Sequence, residues 1–223
     1  SAVGFGFALV CAPLLFAALG PAEAVWSLNA LALLVNTVTL LLEGRRPEPL
    51  RRLAVTVLAW SVPGMVAGAV VLQSVDPVWL QVALTVTVFA TLVLRGRPGS
   101  PQPAPAWAPP TAGVASGVLT TALSTAGPPL VLLLLGRGHA PTQVRDTLTT
   151  IFVAQSVLGI AALAVTGTDG VPGPGLLLFA AVALAGQVAG RPLFGRLSGG
   201  GYEGVLTAVL VASAAIGLVA ALT

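Results

Sequence analysis

The chain has 223 residues, 56% of them hydrophobic and only 8% charged, with a mean hydropathy of +0.98. A soluble domain carries roughly 25% charged residues, so a water-soluble fold would have too few polar side chains to cover its core, a need that a bilayer removes. The net charge of +3 comes from ten arginines and no lysine against seven acids; scattered among apolar segments, the arginines form no basic face for nucleic acid and read as anchors on the cytoplasmic side of a membrane.

One cysteine, Cys11, excludes an internal disulfide framework and a Cys-rich metal site. The lysine-free composition, heavy in Ala, Leu, Val, Gly and Arg, points to a high-GC bacterial genome and so to a multi-pass protein of the bacterial cytoplasmic (inner) membrane. No charged region precedes the first apolar run, so no secretory signal is visible. The chain does not begin with Met, which is consistent with trimming or with a fragment missing an upstream segment.

A helix needs about 20 apolar residues to span hydrocarbon. The first run extends from about Val3 to Leu19 and is interrupted by Gly4, Gly6 and Pro13. Runs from Glu23 to Leu42, Leu50 to Leu72 and Val78 to Leu94 follow. Residues 1–95 thus form a first transmembrane repeat, and the Pro-rich stretch 96–110 is expected to be an extended cytoplasmic linker. In the second repeat, 111–223, an interrupted run from Thr111 to Leu135 breaks at Gly127-Pro128-Pro129. Thr142 to Val165, Gly175 to about Val188, and Tyr202 to Leu222 complete it.

The halves echo each other. Pro13-Leu14-Leu15 with Leu19-Gly20 matches Pro129-Leu130-Val131 with Leu135-Gly136 at one constant offset. Gly64 and Gly68 match Gly186 and Gly190, a spacing that lets two helices approach closely. The pattern reads as an internal duplication.

Arginine positions discriminate between topologies. If every segment crosses once, Arg45, Arg46, Arg51, Arg52, Arg95 and Arg97 share one side and Arg137, Arg145, Arg191 and Arg196 the other. If Thr111 to Leu135 instead enters and returns as a hairpin, all ten lie on one side, and Glu23, Asp76 and Asp169 lie opposite. A proline pair is a suitable hairpin tip, and such a hairpin inverts the second half relative to the first. The expected fold is an all-α membrane protein of two inverted repeats, each with about four hydrophobic segments and a first segment that is broken or re-entrant. The competing reading is one long tilted helix with a proline kink.

Unwound backbone at membrane depth is tolerated only where protein or a watery cavity satisfies it. Gly4, Gly6 and Pro13, and the run Ser124, Thr125, Ala126, Gly127, Pro128 and Pro129, are therefore binding-site candidates, because amides at half-helix N-termini attract anions. Their alternative role is tight packing and a bend. Asn29 and Asn36, one heptad apart, share a helix face, and Thr149 and Gln155 or Ser156 hold matching positions in the second half. Uncharged amides bind an anion without burying a guanidinium, although interhelical hydrogen bonding explains them equally well; Gln187 is judged in the same way.

Arg145 either draws anions towards the pathway or anchors the helix beside Asp146. His139 reads as a solvated interfacial residue. Trp26, Trp79 and Trp107 suit interfacial belts, and Trp60 lies deep enough to line a cavity. No acid sits in the middle of a segment to serve as a proton relay. No phosphate-binding loop, metal cluster or Ser/His/acid set is present, so neither an enzyme nor a cofactor is expected.

The stretches GFGFALVCAPLLFAALG (Gly4 to Gly20) and STAGPPLVLLLLGRG (Ser124 to Gly138) resemble the TauE/SafE sulfite-exporter family, also called TSUP. The R-x-T at Arg145 to Thr147 and the G-x-x-x-G at Gly186 to Gly190 add to the likeness, which covers essentially the whole chain. The family's usual start has a longer apolar lead-in, so the first limb of the first hairpin is expected to be absent or incomplete. The resemblance implies transport of sulfite, thiosulfate, sulfonates or organosulfur carboxylates, inward or outward, with no soluble cofactor. Within that reading, Cys11 is either a thiol contact to a sulfur substrate or a small packing residue. The leading expectation is a secondary carrier that holds a small anion at the broken-helix tips near the midplane. An anion channel and a non-transporting scaffold subunit are the alternatives, and a homodimer in the bilayer is compatible with all three.

Overall fold

The computed structural model describes residues 5–42, 46–95, 104–134, 137–170, 172–173 and 175–196. These form eight helices and no strand: α1 (Phe5–Leu19), α2 (Pro21–Leu42), α3 (Arg51–Ser74), α4 (Pro77–Arg95), α5 (Ala108–Leu123), α6 (Gly127–Leu134), α7 (Pro141–Val165) and α8 (Gly175–Arg196). By length and composition, α2, α3 and α7 can each cross a bilayer; α4 and α8 offer shorter apolar windows. At about 1.5 Å per residue, the 22 to 25 residues of the three long helices exceed the hydrocarbon thickness.

Gly6, Pro13, the start of α5 and the end of α8 depart from the sequence reading. Gly6 and Pro13 lie within the continuous helix α1, so the interruption expected there is not seen; Gly4 lies outside the described residues. Proline deprives the Leu9 carbonyl of its usual donor, but in apolar surroundings the remaining backbone pairs hold the helix together. The third departure is α5, which starts at Ala108 because Pro109 and Pro110 sit in its first turn, where a missing N–H costs nothing. The fourth is α8, which runs on past Val188 to Arg196. The segment expected from Tyr202 to Leu222 lies outside the described residues.

The tightest pairing is α3 with α5. A Cβ on Gly64 would press on the Val114 carbonyl oxygen, one on Gly117 on that of Ser61, and one on Gly113 would lie 2.6 Å from that of Val57. A Cβ on Gly68 would meet Thr121 and Val118. Both helices advance together along this contact, so they run parallel. Thr121 also donates its hydroxyl to the Met65 carbonyl at 2.7 Å. Gly186, expected to play the matching role, has nothing within 4 Å among the described residues.

Two clusters mark the ends of the bundle. Phe16, Val25, Leu72, Leu80 and Leu163 belong to one, which holds the ends of α1, α3 and α7 and the starts of α2 and α4. Ala54, Val57, Leu130, Leu133, Leu134, Leu148 and Ile151, with Ala108 and Ala112 against them, form the other. Leu133 and Leu134 therefore return to the end where α5 begins, so α5 and α6 make a helical hairpin rather than one kinked rod. Arg46, Arg51, Arg52, Arg137 and Arg145 sit at that same end, and Glu23, Asp76 and Asp169 at the other. On the outside, Val55, Val62, Val66, Val70, Leu177, Leu178 and Val182 stay substantially exposed, as lipid-facing positions must.

Candidate functional site

The hairpin tip is where the chain abandons helix. Ser124 adopts left-handed backbone (φ 54°), the only non-glycine residue to do so among those described. Its N–H donates to the Thr120 carbonyl at 3.2 Å, and that of Thr125 to the Leu119 carbonyl at 3.1 Å, closing the end of α5. Helix α6 then begins at Gly127, and Pro128 and Pro129 follow without N–H groups.

Beside this tip lies a small cavity, with about 30 Å³ of room for water centres, space for two or so waters. Ala8 of α1, Asn29, Ala32 and Asn36 of α2, Thr120 of α5, Ser124 to Gly127 of the tip, and Phe152, Gln155 and Ser156 of α7 line it. Asn29 and Asn36 bracket the middle of α2, and Gln155 lies near the middle of α7. The cavity is therefore central along the two helices, and among the described residues no charged side chain lines it.

The polar side chains there are held by the bundle. Asn29 uses both amide hydrogens, on Val25 O at 2.9 Å and Thr120 O at 3.2 Å, joining α2 to α5. Gln155 donates to Ser116 Oγ at 2.7 Å, joining α7 to α5. Asn36 bonds only within its own helix, to Ala32 O at 2.8 Å. Gly159 makes room for this arrangement, since a Cβ there would lie 3.0 Å from Thr120 and 3.1 Å from Asn29 Oδ1.

Of the residues picked out from sequence, Asn29, Asn36, Ser124, Thr125, Ala126, Gly127, Gln155 and its alternative Ser156 meet at this cavity. Pro128 adjoins it without lining it. Cys11 and Pro13 lie elsewhere along α1: Cys11 packs against the apolar cluster, and the Pro13 carbonyl accepts from Gln81 at 3.5 Å. Thr149 returns its hydroxyl to Arg145 O at 2.9 Å. Trp60 is half-exposed on the outside of α3 and lines no part of the cavity. Gln187 bridges α8 to α2 through Thr39 Oγ1 at 2.6 Å, the packing role among those weighed for it.

Sequence reasoning passed over Ala8, Ala32, Thr120 and Phe152, and also Ser116, which positions Gln155. Thr120 and Ser116 carried a legible signal, being hydroxyls four apart on one face of the hairpin's first limb. The alanines and Phe152 carried none.

At the arginine end, Asp146 is 1% exposed and accepts from the Glu48 N–H at 3.0 Å, while Thr147 Oγ1 accepts from the Leu50 N–H at 2.9 Å. The stretch before α3 is thereby latched to the second turn of α7. An open hollow nearby is lined by Arg51, Arg52, Arg137, His139 and Gln143. Partial burial lowers the Arg137 guanidinium from its ordinary pKa, and His139 is exposed there, as a solvated interfacial residue should be.

The family model described as sulfite exporter TauE/SafE matches residues 1–216 of the chain. No curated protein and no solved structure matches it.

Proposed function

Because the chain belongs to the sulfite exporter TauE/SafE family, a family of membrane transporters for sulfite-like anions, we propose that it is a secondary carrier whose anion site is the cavity at Ser124 to Gly127. One observation carries the assignment of the site. The left-handed break at Ser124 opens onto a buried, uncharged polar cavity between the middles of two spanning helices. Non-helical backbone at that depth is tolerated only where it meets protein or a polar space. With Pro128 and Pro129 lacking N–H groups, the amides of Ala126 and Gly127 are the donors left at the head of α6, and its dipole adds favourable potential for a negative charge.

Helix α1 leaves the cavity at Ala8 towards one end of the bundle, and α6 leaves it at Gly127 towards the other. Helices α2 and α7, the next in each half, run antiparallel, as the contacts of Trp26 with Thr168 and of Asn29 with Gly159 require. This arrangement supports a reading of two inverted repeats around a fixed central site, with access alternating as one half rocks against the other. On the same reading, the arginine end faces the cytoplasm of a bacterial cell.

The test is flux of labelled sulfite in proteoliposomes. Saturable uptake that falls at least about tenfold in Gly127→Val and in Asn36→Ala supports this site. Normal transport by both folded variants refutes it. Unitary currents would make the protein a channel, and absence of flux across sulfite, thiosulfate and sulfonates would make it a scaffold.

A further inference from the structure

The polar atoms left over at the cavity have a consistent character, and their meaning rests on the reading of that cavity as the anion site. Asn36 Oδ1, Gln155 Oε1 and Thr125 Oγ1 have no hydrogen-bond partner among the described residues, although their side chains are 2%, 1% and 1% exposed. The orientation of each carboxamide is set by its nitrogen. Asn36 Nδ2 must face the Ala32 carbonyl, since turning the amide over would set oxygen against oxygen. Gln155 Nε2 faces Ser116 Oγ, whose own hydrogen goes to the Gly113 carbonyl at 3.0 Å, so only a donor fits opposite it. The unmatched amide ends are therefore acceptors.

Buried acceptors without hydrogens are costly until a donor reaches them. A fully deprotonated oxyanion brings none. It would place its own lone pairs against the negative ends of two carboxamide dipoles, with no cation among the described residues lining the cavity to offset its charge. An oxyanion that keeps one acidic hydrogen can satisfy an acceptor through its O–H while its remaining oxygens take the tip amides and hydroxyls, and it brings half the charge out of water. We infer that the cavity selects the protonated monoanion of its substrate, hydrogen sulfite rather than sulfite, its one O–H donated to Gln155 Oε1 or Asn36 Oδ1.

No titratable side chain of the protein stands in for that hydrogen among the described residues. On α1 the nearest is Cys11, packed in the apolar cluster. On α2 it is Glu23, at the far end beside Gly173. Helices α5 and α6 have none, and Arg145 and Asp146 of α7 lie in its first turns, at the latch. The pH dependence of binding therefore belongs to the ligand, whose second proton titrates near neutrality.

The experiment is calorimetric binding to the purified full chain in sodium-free buffer across neutral pH. Sulfite is compared with methanesulfonate, a permanent monoanion with no acidic hydrogen. The expected apparent Kd for sulfite rises about tenfold per pH unit once the second proton is lost, and is constant when expressed per hydrogen sulfite. Methanesulfonate binds more weakly and without pH dependence. Gln155→Leu, checked for folding by thermal unfolding, is expected to weaken hydrogen sulfite at least about tenfold and methanesulfonate less than about threefold. Sulfite binding that is flat or tightens with rising pH overturns this inference and leaves the anion site standing. A requirement for sodium would assign the acceptor oxygens to a cation and overturn it as well. No binding of sulfite, methanesulfonate or thiosulfate at any pH overturns both this inference and the site on which it rests.

Discussion

Gly117 of α5 lies so close to Ser61 of α3 that a methyl group on its Cα would press on the Ser61 carbonyl oxygen. Because that neighbour is backbone, it cannot swing aside as a flexible side chain would. This contact, repeated at Gly64, Gly68 and Gly113, fixes the hairpin's first limb against a spanning helix and so sets where the tip stops.

Gly117→Ala is accordingly expected to destabilise the fold by about 1–3 kcal/mol through overpacking. It should lower the detergent unfolding temperature and the monodisperse yield. Gly186→Ala, with nothing among the described residues within 4 Å of the added methyl, should leave both unchanged, since alanine also favours helix. Equal losses in the two variants would mean that the α3–α5 contact is not the tight one.

Asn29 and Asn36 share a helix face but hold different bonds, and this should separate their phenotypes. Asn29→Ala breaks the link to Thr120 of α5 and is expected to cost about 1 kcal/mol of stability along with activity. Asn36→Ala removes only a bond within α2, so its unfolding temperature should hold while transport falls. Thermal unfolding and flux measured on the same preparations check the distinction.

The latch between Asp146 and the Glu48 N–H, and between Thr147 and the Leu50 N–H, predicts a local weakness when either acceptor goes. Asp146→Ala or Thr147→Val should each cost about 1 kcal/mol, the net contribution of a part-buried hydrogen bond. Faster tryptic cleavage at Arg51 and Arg52 would report it. Unchanged proteolysis would show that the stretch before α3 is held by other contacts.

Hairpin and single-crossing arrangements differ in which face of the membrane carries the ends of the α5–α6 unit. In a Cys11→Ser background, Ala104→Cys and Ala140→Cys should both label from the arginine-bearing face, and Asp76→Cys from the opposite one. Labelling of Ala104→Cys and Ala140→Cys from opposite faces would make α5 and α6 a crossing segment.

Composition and local order along the chain determined much of this protein. Apolar run lengths marked helices for a bilayer, the proline pair at 128–129 marked the interruption, and the heptad between Asn29 and Asn36 put them on one face, because each of these depends only on neighbours in the chain. Which faces meet was decided by tertiary structure alone. A membrane helix is apolar towards lipid and towards its partners alike, so nothing in the hydropathy of α3 or α5 showed that their glycines would interlock, that Trp60 would face outward, or that Ser116 would reach across to hold Gln155. Pro13 makes the same point in reverse: the residue that signals a break at 128–129 is absorbed within α1, because whether proline ends a helix depends on what surrounds the carbonyl it leaves bare.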